Sequence, residues 1–188
     1  SMGSYMSRKY ASIYGDELDG VIFLGTGNQP KAVVDSGLKL AHIAKLVRGE
    51  RYRSELLNTI MFGAYNKRIK DNRTANDWLT KDTKIVDEYL SDPKCSYKFT
   101  ANAYIGFLNV IKYDIDKKNI AKTPDKLPVL FASGLEDPVG DYGKGVKKAF
   151  KMYTKYVDNV ELYLYEDDRH ELHSLSLIHI SEPTRLDV

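Results

Sequence analysis

The sequence predicts an α/β fold in which a parallel sheet remnant of about three strands is interrupted by a long helical insertion. Three observations carry this. Val21, Ile22, Phe23 and Leu24 form an unbroken apolar run, and such runs suit strands buried on both faces of a parallel sheet. A second continuous run, "LPVLFASG", follows about a hundred residues later, and a third, "NVELYLYED", alternates through Val160, Leu162 and Leu164. The stretches between the runs space their apolar residues by three and four, as helices do.

Taken in order, "SYMSRKYASIYGDELDG" reads as a helix, with Tyr5, Met6, Tyr10, Ile13 and Tyr14 as its apolar positions and Gly15 as its stop. Gly25-Thr26-Gly27 after the first strand lets the chain turn sharply. From Gln29 the texture becomes helical and aromatic. "AVVDSGLKLAHIAKLVRG", "YRSELLNTIMFGAYNKRI", "TANDWLTKDTKIVDEYLSDP" and "TANAYIGFLNVIKY" are successive helix candidates, and "DKKNIAKTPDK" reads as a solvated linker back to the sheet. After the second strand, "GDYGKGVKKAFKMYTKYV" reads as a helix with Val146, Phe150, Tyr153 and Val157 on one side. Strand, helix and strand in alternation argue for parallel pairing.

The bulk properties narrow the partners. The 188 residues carry 28 Lys plus Arg against 26 Asp plus Glu, a net charge of +2 mixed along the whole chain, which gives no footing for nucleic acid. No apolar run is long enough for an integral membrane segment. Cys95 is the only cysteine, so no internal disulfide is expected and a reducing, cytoplasmic setting suits the chain. "SDPKCSYKF" sets no histidine or second cysteine beside it, so no metal is expected, and "GTGNQP" lacks the later Gly-Lys-Ser/Thr of a phosphate loop. The oligomeric state is left open. At the other end, "LSLIHISEPTR" resembles the translation of a sequencing adapter, so residues 175–188 are expected to be a non-native tail and are set aside with His179.

The candidate chemistry is nucleophilic. Acyl transfer by a serine needs a hydroxyl, an imidazole to take its proton, and a carboxylate to orient that imidazole; one established chain order is Ser, then Asp or Glu, then His. Ser1-Met2-Gly3 reads either as a cloning remnant or as the second half of Gly-x-Ser-x-Gly, with Ser1 directly before a helix. Asp137 follows "VLFASGLE", just past a strand end, and His170 follows "VELYLYEDDR" in the same way; active sites of open α/β sheets form at that edge. Asp141 is a rival acid, read as a helix cap, and His173 is a rival base; His42 falls within a helical pattern.

"SMGS", "LDGVIFLGTG", "NKRIKDNRTANDWLTKD", "DPKCSYKFTANAY", "FASGLEDPVGDYGKGV" and "YEDDRHE" closely resemble bacterial monoacylglycerol lipase-like or lysophospholipase-like serine hydrolases of the α/β-hydrolase family, over nearly all of residues 1–173. The resemblance implies a truncated α/β-hydrolase beginning at its nucleophile, with residues 1–28 and 122–174 as core and 29–121 as a helical cap over an acyl pocket. It implies Ser1 as nucleophile, Asp137 as acid, His170 as base and the Met2 backbone N–H as an oxyanion donor. The substrate would be a lipid ester, monoacylglycerol or lysophospholipid, with no cofactor. Ile60, Met61, Phe62, Tyr65, Trp78, Tyr97, Phe99, Tyr104, Phe107 and Leu108 are acyl-pocket candidates, most of them expected to be cap core. A serine aminopeptidase of the same fold is the alternative, and the isolated chain is expected to be inert.

Overall fold

The computed structural model describes residues 2–95, 97–172 and 184–185. Helix α1 (Met2–Tyr14) leads through a 3-10 turn, Gly15–Glu17, to strand β1 (Val21–Leu24). The insertion supplies α2 (Lys31–Arg48), α3 (Glu55–Phe62), α4 (Thr83–Ser91), α5 (Ala101–Asp114) and the single turn α6 (Lys117–Ile120). Strand β2 (Val129–Gly134), α7 (Lys144–Tyr153) and β3 (Val160–Tyr165) complete the alternation. Thr184–Arg185, labelled β4, lies within the expected non-native tail and pairs antiparallel with β3; the rest of that tail is outside the described residues.

The sheet order is β1-β2-β3-β4, and the first three strands are parallel. Phe23, Phe131 and Leu162 fall in register across them and share one face. Helices α1 and α7 cover that face, bringing Ala11 from one and Val146, Ala149, Phe150 and Tyr153 from the other into a single core. Fully burying each large apolar side chain there stabilises the fold by about 1.5–3 kcal/mol.

Most insertion helices start where the side chains dictate. Ser54, Asp82, Thr100 and Asp116 each accept a hydrogen bond from a backbone N–H of the turn they precede, satisfying donors that have no partner inside the helix. Helices α2 and α5 pack together, and Val34, Leu38, Trp78, Leu79, Leu108 and Ile111 form a second core that reaches Tyr5 of α1.

Several sequence readings are corrected. The run 21–24 is buried on one face only: Phe23 is fully buried while Ile22 is 60% exposed, because α1 and α7 cover the face that Phe23 shares. In α1 the buried face is Ser4, Tyr5, Arg8, Ala11 and Ser12, whereas Met6, Tyr10, Ile13 and Tyr14 are exposed; the small residues let this helix approach its neighbours closely. The helix expected over 74–93 begins only at Thr83, since residues before it are held in turns by the Asp77 carboxylate. The supposed linker after residue 115 contains α6, with Ile120 and Thr123 buried. Among the described residues no helix is long and apolar enough to cross a membrane.

Candidate active site

The C-terminal ends of the three parallel strands converge on one histidine. β2 ends at Gly134, and the turn after it carries Asp137; β3 ends at Tyr165, and the loop after it carries His170. The two loops cross tightly. The Glu136 N–H donates to the Asp168 carbonyl over 3.0 Å and the Leu135 N–H to the Tyr165 carbonyl over 2.8 Å. A Cβ on Gly134 would stand 2.0 Å from the Asp168 carbonyl oxygen, so only glycine allows this crossing.

Asp137 is completely buried and His170 is 5% exposed. His170 Nδ1 lies 3.0 Å from Asp137 Oδ2. The other carboxylate oxygen, Oδ1, accepts the Val139 N–H at 2.8 Å. Pro138 between them has no N–H to compete. Both oxygens of the acid are therefore engaged, one by backbone and one by imidazole, and the carboxylate plane is fixed. A buried carboxylate is tolerated when it is hydrogen-bonded in this way. With Nδ1 engaged by the acid, Nε2 is the ring nitrogen left to exchange a proton with another group.

Two further elements hold the ring. Gly25, directly after β1, has a φ of +55°, and a Cβ there would meet His170 Cε1 at 2.8 Å. Trp78, from the insertion, packs against the imidazole with ring centroids 5.1 Å apart, and Tyr65 packs edge-on against Trp78 at 4.8 Å. Burial pushes the Tyr65 hydroxyl pKa well above its ordinary value, with smaller upward pushes from Tyr5 and Asp137, so Tyr65 is a neutral wall at working pH.

Of the residues named from sequence, Asp137 and His170 are brought together. Met2 opens α1 and is exposed. Ser1 lies outside the described residues, as do His173 and His179. Asp141 is not the cap of α7: it is exposed with a φ of +48°, and Gly143 occupies the cap position. His42 is exposed on α2. Of the acyl-pocket candidates, Trp78, Tyr104 and Leu108 are buried in the insertion's cores, while Ile60 and Tyr97 are exposed. Gly25 and the bracing role of Trp78 were missed; their signal is a glycine directly after a strand and an aromatic held on a short polar turn. Among the described residues no cluster of three His, Cys, Asp or Glu stands ready to hold a metal ion.

Comparison with known proteins fits this geometry. The family described as serine aminopeptidase, S33, matches residues 1–174. Among solved structures, a highly thermostable carboxyl esterase from Bacillus coagulans in complex with glycerol superposes with a TM-score of 0.82 at 25% identity over 91% of this chain. A lipase in an open form gives 0.79 at 26% identity over 91%. A monoglyceride lipase from Saccharomyces cerevisiae gives 0.65 at 21% over 93%, a likeness of fold alone. The chain spans 56% of the length of the first two and 53% of the third. No curated protein matches the sequence.

Proposed function

The chain belongs to the serine aminopeptidase, S33, family of α/β hydrolases, and from that premise we propose that the whole protein is a serine hydrolase of carboxylic esters, acting on lipid esters of the monoacylglycerol or lysophospholipid kind. The observation that supports this most is the buried Asp137–His170 pair, 3.0 Å between ring nitrogen and carboxylate, at the C-terminal ends of adjacent parallel strands. The similarity to an esterase and a lipase at 25% and 26% identity supports the ester over the amide.

In this reading Ser1 Oγ attacks the ester carbonyl carbon while His170 Nε2 takes its proton. Asp137 fixes the tautomer through Nδ1–H and stabilises the imidazolium. The oxyanion is held by backbone donors, among them the Met2 N–H, each contributing about 3 kcal/mol. Collapse breaks the ester C–O bond, and the leaving alcohol receives the proton from His170. Water, deprotonated by the same nitrogen, then attacks the acyl-enzyme and releases the carboxylic acid and free serine. The step consumes only water and needs no cofactor. A cytoplasmic setting is part of the proposal and rests on the lone Cys95.

The family's description favours a second reading, cleavage of an N-terminal aminoacyl group by the same residues. A panel of p-nitrophenyl esters and aminoacyl amides, assayed on the whole protein, separates the two: turnover of medium- and long-chain esters is expected, and turnover of the amides alone overturns the ester assignment. The 188-residue chain, at 56% of the length of its structural neighbours, is expected to be inert. Stoichiometric fluorophosphonate labelling at Ser1 in that isolated chain would contradict this.

A further inference from the structure

Residues 77–81 of the insertion are tied to both loops of the acid–base pair, and the tie runs through one side chain. Arg169, directly before His170, donates from Nη1 to the carbonyls of Asp77 (2.7 Å) and Thr80 (3.1 Å). Its Nε lies 3.6 Å from Glu136 Oε2, and Glu136 directly precedes Asp137. The other oxygen of Glu136 accepts from Lys81 Nζ at 3.0 Å. On the far side of His170 the Glu171 N–H donates to the Leu79 carbonyl at 2.8 Å. The residues flanking the histidine and the one preceding the acid are thus all bonded to one short stretch of the insertion.

That stretch is itself rigid. The Asp77 carboxylate accepts from the Arg73 and Thr74 N–H groups and from the Thr74 hydroxyl. Burial would raise its pKa, but these donors outweigh burial and hold it below the ordinary carboxylate range. The Trp78 N–H donates to Asn66 Oδ1 at 3.0 Å. The indole, 8% exposed, lies against the His170 ring. A planar guanidinium presents its donors in a rigid fork, with two carbonyls on Nη1 and the Glu136 carboxylate beside Nε, whereas an ammonium is a point charge on a flexible stem.

We propose that Arg169 is a positioning residue: by bridging the carbonyls of Asp77 and Thr80 to Glu136 it latches the insertion onto the loops of Asp137 and His170, and so holds Trp78 as a brace against the imidazole. The importance of the latch for turnover rests on the reading of Asp137 and His170 as the acid–base pair; the latch itself does not. It makes the 77–81 end of the insertion its fixed end.

Trp78 is the only tryptophan in the chain, so its emission reports the latch directly. Loss of the brace exposes the indole to water. Arg169→Ala in the 188-residue chain is therefore expected to shift the emission maximum to the red, with far-UV circular dichroism retained. Arg169→Lys, which keeps the charge but not the fork, should shift it too. In hydrogen exchange the Glu171 amide should lose at least tenfold protection in both variants. In the whole protein the same variants should lower kcat by at least tenfold with KM changed less than twofold. An unchanged emission maximum and an unchanged Glu171 amide in folded Arg169→Lys overturn the latch. Both effects present, in a protein that hydrolyses no ester or amide, overturn the hydrolase reading and leave the latch standing.

Discussion

At Gly25 the backbone adopts a left-handed φ of +55°, and a side chain there would strike the imidazole at 2.8 Å from Cε1. Two penalties coincide: the left-handed conformation costs an L-residue about 1 kcal/mol, and the ring must move to admit a methyl group. Gly25→Ala is therefore expected to lower kcat of the whole protein by about 100-fold, as displacements near 1 Å do at reacting centres, while lowering the melting temperature only slightly; steady-state kinetics and calorimetry check both. Position in the chain makes Asp137 and His170 legible from sequence, since each directly follows a strand. The choice of Asp137 over Asp141 is less legible: they stand four positions apart, and only the loop crossing at Gly134 shows which one turns inward. Gly25 could not be read as the floor under the ring, because that depends on β1 lying beside β2, and adjacency is invisible in a linear pattern.

Among elements, α1 departs most from its pattern. Four of its five regular apolar positions are exposed, Tyr5 alone being buried, and its buried face carries Arg8, 1% exposed, whose guanidinium donates to the Gly27 carbonyl at 2.8 Å and the Asp114 carbonyl at 2.9 Å. It also stands 5.6 Å from the Tyr153 ring centroid, tying α1 to the end of α5 and to α7. Spacing by three and four identifies a helix but cannot say which of two stripes is inside when small residues line the other. The Asp114 carboxyl is buried beside this cluster, and neither of its oxygens has a hydrogen-bond partner among the described residues. Burial raises its pKa from 3.8 to about 7, opposed by the charges of Arg8 and Lys9. The folded state thus holds a proton that the unfolded chain has released. This contribution is fully present below about pH 4, is lost as pH rises toward 7, and is absent above it. It amounts to a few kcal/mol at order of magnitude. Asp114→Asn is expected to raise the melting temperature at pH 8 and to flatten its decline between pH 4 and 7; thermal melts across that range test this. Helices α2, α3 and α5 were legible from their apolar spacing, whereas the turns of residues 63–82 were not, because side chain–to–backbone bonds made by Asp77 and Asn66 set them.

Taken as a whole, the molecule has one sheet face clothed by helices and a second stretch of apolar surface in the open. Ile22, at 60% exposure, lies on β1, which ends the sheet order among the described residues, and Met6, Tyr10, Ile13 and Tyr14 are exposed on α1. Surfaces of this kind on an edge strand promote association. The isolated chain is expected to self-associate at micromolar concentration, and Ile22→Lys to reduce that association severalfold in light scattering without changing its circular dichroism; equal scattering from both proteins would refute the assignment. The fold class was legible because three apolar runs separated by helical texture leave few arrangements of a parallel sheet.

The crossing of the two loops at Gly134 has a consequence for how this chemistry is assembled. Asp137 and His170 are only 33 positions apart in the chain; helix α7 and strand β3 lie between them, and strand β2 directly precedes the turn of Asp137. The Asp137–His170 contact is thus made within a single βαβ unit, the kind of segment that behaves as one cooperative folding unit. If the pair serves the proposed chemistry, it is a cassette: residues 129–170 can be exchanged as one piece, leaving α1 untouched.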